Sequence, residues 1–137
     1  MDLAAYFESV KGVGVLATSD SAGKVDLALY SKPHIVDEST LVFVMKQRFS
    51  HRNIKTNPHA AYMFLENRAG YNGIRIYLTM LHDEVNQSLV TELRAKQPEM
   101  FSRDDDSNKF VTVFHIDHIR PLVGDLEDEP AAESDAM

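Results

Sequence analysis

The chain has 137 residues, the size of one domain built on one core. Hydrophobic residues make up 44% and charged residues 26%, as in globular proteins; cysteine is absent, and no apolar run approaches the ~18 residues a membrane helix needs. The net charge of −7 is concentrated in 124–137, where Asp125, Glu127, Asp128, Glu129, Glu133 and Asp135 stand without lysine or arginine. The body is therefore near neutral and lacks the basic face that nucleic-acid binding requires. Neither disulfides nor thiolate metal sites are available without cysteine. The acidic, amphipathic start from Met1 to Glu8 does not have the pattern of a secretory signal, so a cytoplasmic location is expected. These features predict one folded domain over 1–123 and an acidic disordered tail over 124–137, whose composition buries too little apolar surface to offset its ordering entropy.

In chain order, Leu3, Tyr6, Phe7 and Val10 recur at helical spacing behind Asp2, which predicts a short amphipathic helix with an Asp2 cap. Val13–Ser19 and Val25–Lys32 read as two strands joined by the turn Asp20-Ser21-Ala22-Gly23. In the second, Val25, Leu27, Leu29 and Ser31 point one way and Asp26, Ala28, Tyr30 and Lys32 the other. Thr40–Met45, centred on Leu-Val-Phe-Val, predicts a strand buried on both faces. Ser50–Thr56 reads as a helix with Ser50 as its N-cap and Asn57-Pro58 as its stop. Strands follow at His59–Leu65 and Ile74–His82, separated by a loop rich in glycine and asparagine. Asn86–Gln97 predicts a helix, 102–108 a solvated loop, and Lys109–Ile119 the last strand. The fold class is mainly β with minor α: about six antiparallel strands and three short helices, arranged as a closed or nearly closed barrel that removes exposed edges.

The stretch from Lys46 to Pro58 carries the most chemistry. A strand ends, basic residues follow, and a helix begins whose first amides have no internal partner and favour an anion. A Ser50 hydroxyl with Arg48, His51 or Arg52 as charge-assisted donors would suit a phosphate monoester. The plainer reading, Ser50 as a cap and the basic side chains in water, is favoured by residue chemistry alone. Among the histidines, His115 and Asp117 share a strand face at i, i+2 while His118 points oppositely, so no tight metal cluster is expected. Tyr62, Phe64, Tyr71 and Tyr77 could stack on a ring or fill the core. No nucleophile–base pair is recognisable, which leaves catalytic residues unassigned.

Gly14-Val15-Leu16-Ala17-Thr18, the turn ending at Gly23, the strand Val25–Lys32 and the run Asn53-Ile54-Lys55-Thr56-Asn57-Pro58 stand in an order and spacing that matter together. Over roughly 12–123, this pattern resembles the FMN-binding split-barrel family, which includes the pyridoxamine 5'-phosphate oxidases. The resemblance implies a six-stranded split barrel, a homodimer, and FMN lying between the subunits. It also implies that Tyr30, Ser31 and Lys32 line the isoalloxazine ring, largely through backbone, and that Arg48, Ser50 and His51 hold the phosphate. Asn53 would fix the loop, and Arg75 would reach the same or the partner's cofactor. Many members carry lysine or arginine three residues before the asparagine. Here that position is Ser50, so Arg48 has to supply the charge. The implied activity is that of a flavin-dependent oxidoreductase of unassigned substrate, without membrane or nucleic-acid partners. Haem or deazaflavin binding, or a cofactor-free dimer, are the alternatives on the same barrel.

Overall fold

A computed structural model describes residues 1–46, 48–98 and 109–124; the expected 102–108 loop and nearly all of the acidic tail lie outside them. Helix α1 (Leu3–Ser9) starts where Asp2 accepts a hydrogen bond from the Ala5 amide and buries Leu3 and Phe7. Strands β1 (Gly12–Ser19) and β2 (Val25–Leu29) form the first hairpin. In its turn the Asp20 carboxylate accepts from the Ala22 and Lys24 amides, and Gly23 takes a φ of 87°. Then come β3 (His34–Asp37), β4 (Thr40–Lys46), α2 (Phe49–Thr56), β5 (His59–Glu66), β6 (Gly73–Glu84), α3 (Gln87–Lys96) and β7 (Lys109–Pro121).

All pairings are antiparallel, in the order β2-β1-β5-β6-β7-β4-β3. This gives seven strands among the described residues, where six were expected. The added strand is β3, which takes over after the Val25–Lys32 run leaves its ladder at Leu29. The barrel is also open rather than closed, because β2 and β3 are the two sheet edges. Successive antiparallel pairings make β2 and β3 run in the same sense, and parallel neighbours need a crossover of a dozen or more residues. The link from Tyr30 to Pro33 is far too short for that. The chain passes straight from one edge of the sheet to the other, and the barrel is split there.

The main core joins Leu16, Phe43, Tyr62, Phe64, Ile76 and Phe114 from the inner sheet face with Phe7 of α1 and Ile54 of α2. A second cluster packs Val42, Val44 and Val111 against Val90 and Leu93 of α3. The two clusters explain why β4 is buried on both faces, as its continuous apolar run predicted.

Two expectations need correction. Ser50 does not cap α2: Arg48 holds the cap position without a side-chain capping bond, and Ser50 lies inside the first turn, buried. Its hydroxyl is drawn instead to the Tyr30 phenol. His118 does not point away from His115, because the β6–β7 register shifts between Tyr77 and Leu78. His115 then faces Thr79 and His118 faces Tyr77, two positions apart on one strand and so on one face; Asp117 is the residue the bulge adds. Alternation left open which face of β2 meets the core: the Val25, Leu27, Leu29 side faces outward, with exposures of 80%, 70% and 76%.

Candidate functional site

Tyr30 links the pieces of the site. Its amide still donates to the Gly14 carbonyl (3.0 Å), although β2 has ended, and its own carbonyl accepts from the Tyr62 hydroxyl (3.1 Å). Its ring packs edge-on against Phe43 with centroids 5.5 Å apart. Burial raises the Tyr30 phenol above its ordinary value, while the hydrogen bond with Ser50 and the Arg48 charge pull the other way. The side chain thus runs inward from the edge of the sheet to the first turn of α2.

This geometry depends on Gly14. A Cβ there would lie 1.9 Å from the Tyr62 hydroxyl oxygen and 2.5 Å from the Tyr30 carbonyl oxygen. A glycine inside a strand is a signal of such close backbone approach.

Residues 29–32 border a pocket of about 410 Å³ whose other walls are Gly12, Val13, Gly14 and Phe64. A second cavity of about 490 Å³ adjoins it at Lys32 and extends to Phe7, Glu8, His34 and Gln97. Lys32 itself is committed to structure: its ammonium donates to the carbonyls of Phe7 and Val10 at the end of α1. Ser31 is half-buried on the same pocket wall.

At α2, the first helical hydrogen bond runs from the Arg52 amide to the Arg48 carbonyl, so the amides before it have no acceptor within the helix. Ser50, the exposed Arg48 and these amides form a donor set whose chemistry fits a phosphate monoester. Arg52 is placed differently, with its guanidinium 4.5 Å from the centroid of the Phe49 ring. Asn53 donates to the Thr18 hydroxyl (3.0 Å) and ties α2 to β1.

Two of the sequence-predicted residues lie apart from this group. His51 is buried on another side of α2, with Nε2 2.9 Å from Asp83 Oδ2 and its ring stacked on Phe110 at 3.9 Å. Arg75 sits on the outer face of β6 and donates to the carbonyls of Pro121 and Gly124. Of the four aromatics, Tyr62 and Phe64 are core residues, Tyr71 is exposed, and Tyr77 lies beneath the Arg120 guanidinium.

Sequence reasoning missed the roles of Thr18 and Asp83, and it named Tyr62 without its hydrogen bond to the Tyr30 carbonyl. Gly14 was the available signal for Tyr62. Nothing in the local pattern marks Asp83, whose inward direction comes from a bulge.

Compared with known structures, the chain has the split-barrel fold shared by flavin-binding proteins. An FMN-binding protein from Syntrophomonas wolfei subsp. wolfei superposes with a TM-score of 0.71 at 18% identity, covering 85% of this chain and 81% of that one. A pyridoxamine 5'-phosphate oxidase-like structure from Lactobacillus delbrueckii gives 0.61 at 19% identity over 84% and 87% of the two chains. A structure described as an F420 reductase gives 0.63 at 15% identity over 79% and 88%. No family model and no curated protein sequence matches the chain. No helix among the described residues is long and apolar enough to cross a membrane.

Proposed function

We propose that this chain is an FMN-binding protein, active as a homodimer in flavin-dependent oxidation–reduction. The observation that carries this reading is the junction at Tyr30. Tyr30 lines a pocket of about 410 Å³, within the size range of small-ligand sites, and its phenol feels Ser50 and the Arg48 charge at a helix N-terminus. One end suits a planar ring and the other a phosphate. The fold shared with an FMN-binding protein and a pyridoxamine 5'-phosphate oxidase-like protein supports the assignment. Bound flavin would supply hydride or electron transfer at its N5. The chain's part is to hold the phosphate with Arg48, Ser50 and the free amides of α2, and to hold the 29–32 segment in place through Gly14 and Tyr62. The F420 reductase among the structural neighbours favours a deazaflavin as the second reading.

The homodimer rests on an exposed aliphatic sheet face. Leu29, Val15 and Met63 lie in register across β2, β1 and β5, as do Leu27, Ala17 and Ala61. Val13 and Leu65 extend the patch. An uncovered edge strand with such a face invites pairing, and Leu29 also belongs to the pocket wall. A second copy of this chain is the partner we assign to it. A cytoplasmic setting accords with the absence of cysteine.

An absorption spectrum of the purified protein, before and after excess FMN and removal of what stays free, tests the cofactor. Shifted flavin bands that persist support it; a protein left colourless refutes it, and a Soret-like band points to haem. Arg48→Ala is expected to weaken FMN binding by about 1.5–3 kcal/mol, the scale of a charge-assisted hydrogen bond. Unchanged affinity in a titration would remove Arg48 from the site.

A further inference from the structure

The cluster behind α2 is a complete polar network with no role in the site so far. Asp83 and His51 have side-chain exposures of 6% each. Asp83 Oδ1 accepts from the Thr112 hydroxyl at 2.9 Å, while Oδ2 faces His51 Nε2 at 2.9 Å and Lys55 Nζ at 3.5 Å. Phe110, stacked at an interplanar angle of 16°, fixes the plane of the imidazole. A carboxylate this deeply buried persists only when its acceptor sites are used, and both oxygens are engaged here.

Asp83 points inward because the β6–β7 register shifts between Met80 and His82, leaving Leu81 as the extra residue. Up to Met80 the even-numbered residues of β6 face the core; beyond the bulge, Asp83 does, opposite Thr112. Bulges of this kind re-aim side chains next to working sites.

We propose that Asp83, acting through His51, is a positioning residue that sets the first turn of α2 for a phosphate-bearing flavin. This inference rests on the FMN reading above. Ser50 and His51 are consecutive and leave the helix about 100° apart. Ser50 reaches the end of β2 through Tyr30, and His51 reaches the β6–β7 ribbon through Asp83. The two tethers hold one turn from two sides. A helix of eight residues has little stability of its own, so its attachments decide where its amides aim. Thr112 and Phe110, both on β7, in turn hold the Asp83 carboxylate and the His51 ring.

The test compares FMN with riboflavin, which has the same ring and no phosphate. Dissociation constants for both are measured by flavin fluorescence titration on the full chain, wild type and Asp83→Asn. The wild type is expected to prefer FMN. Asp83→Asn is expected to weaken FMN by about tenfold, the scale of one impaired charge-assisted hydrogen bond, and to leave riboflavin unchanged. Thr112→Val removes only the hydroxyl that holds Oδ1; it should shift the same ratio less and serves if Asp83→Asn does not fold. An intact FMN-to-riboflavin ratio in the variants, or equal loss of both ligands, overturns the positioning role and leaves the FMN reading standing. A wild type that binds FMN no better than riboflavin overturns both.

Discussion

Gly14→Ala offers a quantitative test of the junction at Tyr30. The new methyl group would meet the Tyr62 hydroxyl at 1.9 Å, Tyr62 Cζ at 2.4 Å and the Tyr30 carbonyl oxygen at 2.5 Å. Tyr62 is fully buried among Phe7, Phe43 and its sheet neighbours, so it cannot swing into solvent. Overpacking costs about 1–3 kcal/mol, and separating the Tyr62–Tyr30 hydrogen bond in a buried place costs a further ~1–3. Together these give a loss of roughly 2–6 kcal/mol, or a fall in Tm on the order of 8–24 °C for a chain of this size.

The cause can be isolated with Tyr62→Phe. Alone, it strips the Tyr30 carbonyl of its donor and costs about 1–3 kcal/mol. In combination with Gly14→Ala, it removes the nearest clash. The penalty of the alanine should then shrink by about 1 kcal/mol or more without vanishing, because the Tyr30 carbonyl remains in the way. Urea unfolding followed by circular dichroism measures all four corners of the cycle. Gly14→Ala with wild-type stability, or a cycle additive to within ~0.5 kcal/mol, would refute the argument.

Two further expectations follow from the same coordinates. The Glu66 carboxyl is held below its ordinary value, first by the Tyr6 hydroxyl at 2.6 Å and then by Arg68 at 2.8 Å. A depressed folded-state value means stability that is present above the ordinary carboxylate range and lost as pH falls through the folded value. The stability gap between wild type and Tyr6→Phe should therefore narrow from pH 7 to pH 3 in urea unfolding, and a constant gap would contradict it. Leu27→Glu places a charge on the exposed aliphatic face, on its edge strand. Analytical ultracentrifugation is expected to show a dimeric wild type and a monomeric variant; a monomeric wild type rules out the dimer.

Most strands and all three described helices were legible because their signals are local. Asp2 and Asn86 cap α1 and α3 as their residue types predict, with side chains accepting from the Ala5 and Leu89 amides. Asn57-Pro58 stops α2 on schedule. The doubly buried β4 announced itself as an unbroken apolar run. Closure was not legible, since it depends on the relative direction of β2 and β3, and direction emerges only when every pairing in the sheet is known. The outward side of β2 was equally hidden: alternation says that Val25, Leu27 and Leu29 share a face, not whether that face meets the core.

The site was legible in part for the same reason. Arg48 and Ser50 stand out in a basic stretch before a helix, whereas the partner of Ser50 lies 20 positions away and the partner of His51 lies 32 away. His51 shows how a single residue of helix phase decides a direction: one step past Ser50 turns its side chain from the end of β2 to the β6–β7 ribbon. Strand parity fails in a similar way at the two bulges. Counting by twos from Ile74 places His82 inward and Asp83 outward, and counting from His115 separates it from His118. In both cases one added residue reverses the sense of everything after it. Asp83, the acidic residue that holds His51, is set by such a step, whereas Asp117 meets His115 as i, i+2 alternation predicts. The bulge before Asp83 is thus where this sheet turns a carboxylate toward His51, and a periodic reading of the sequence passes over it.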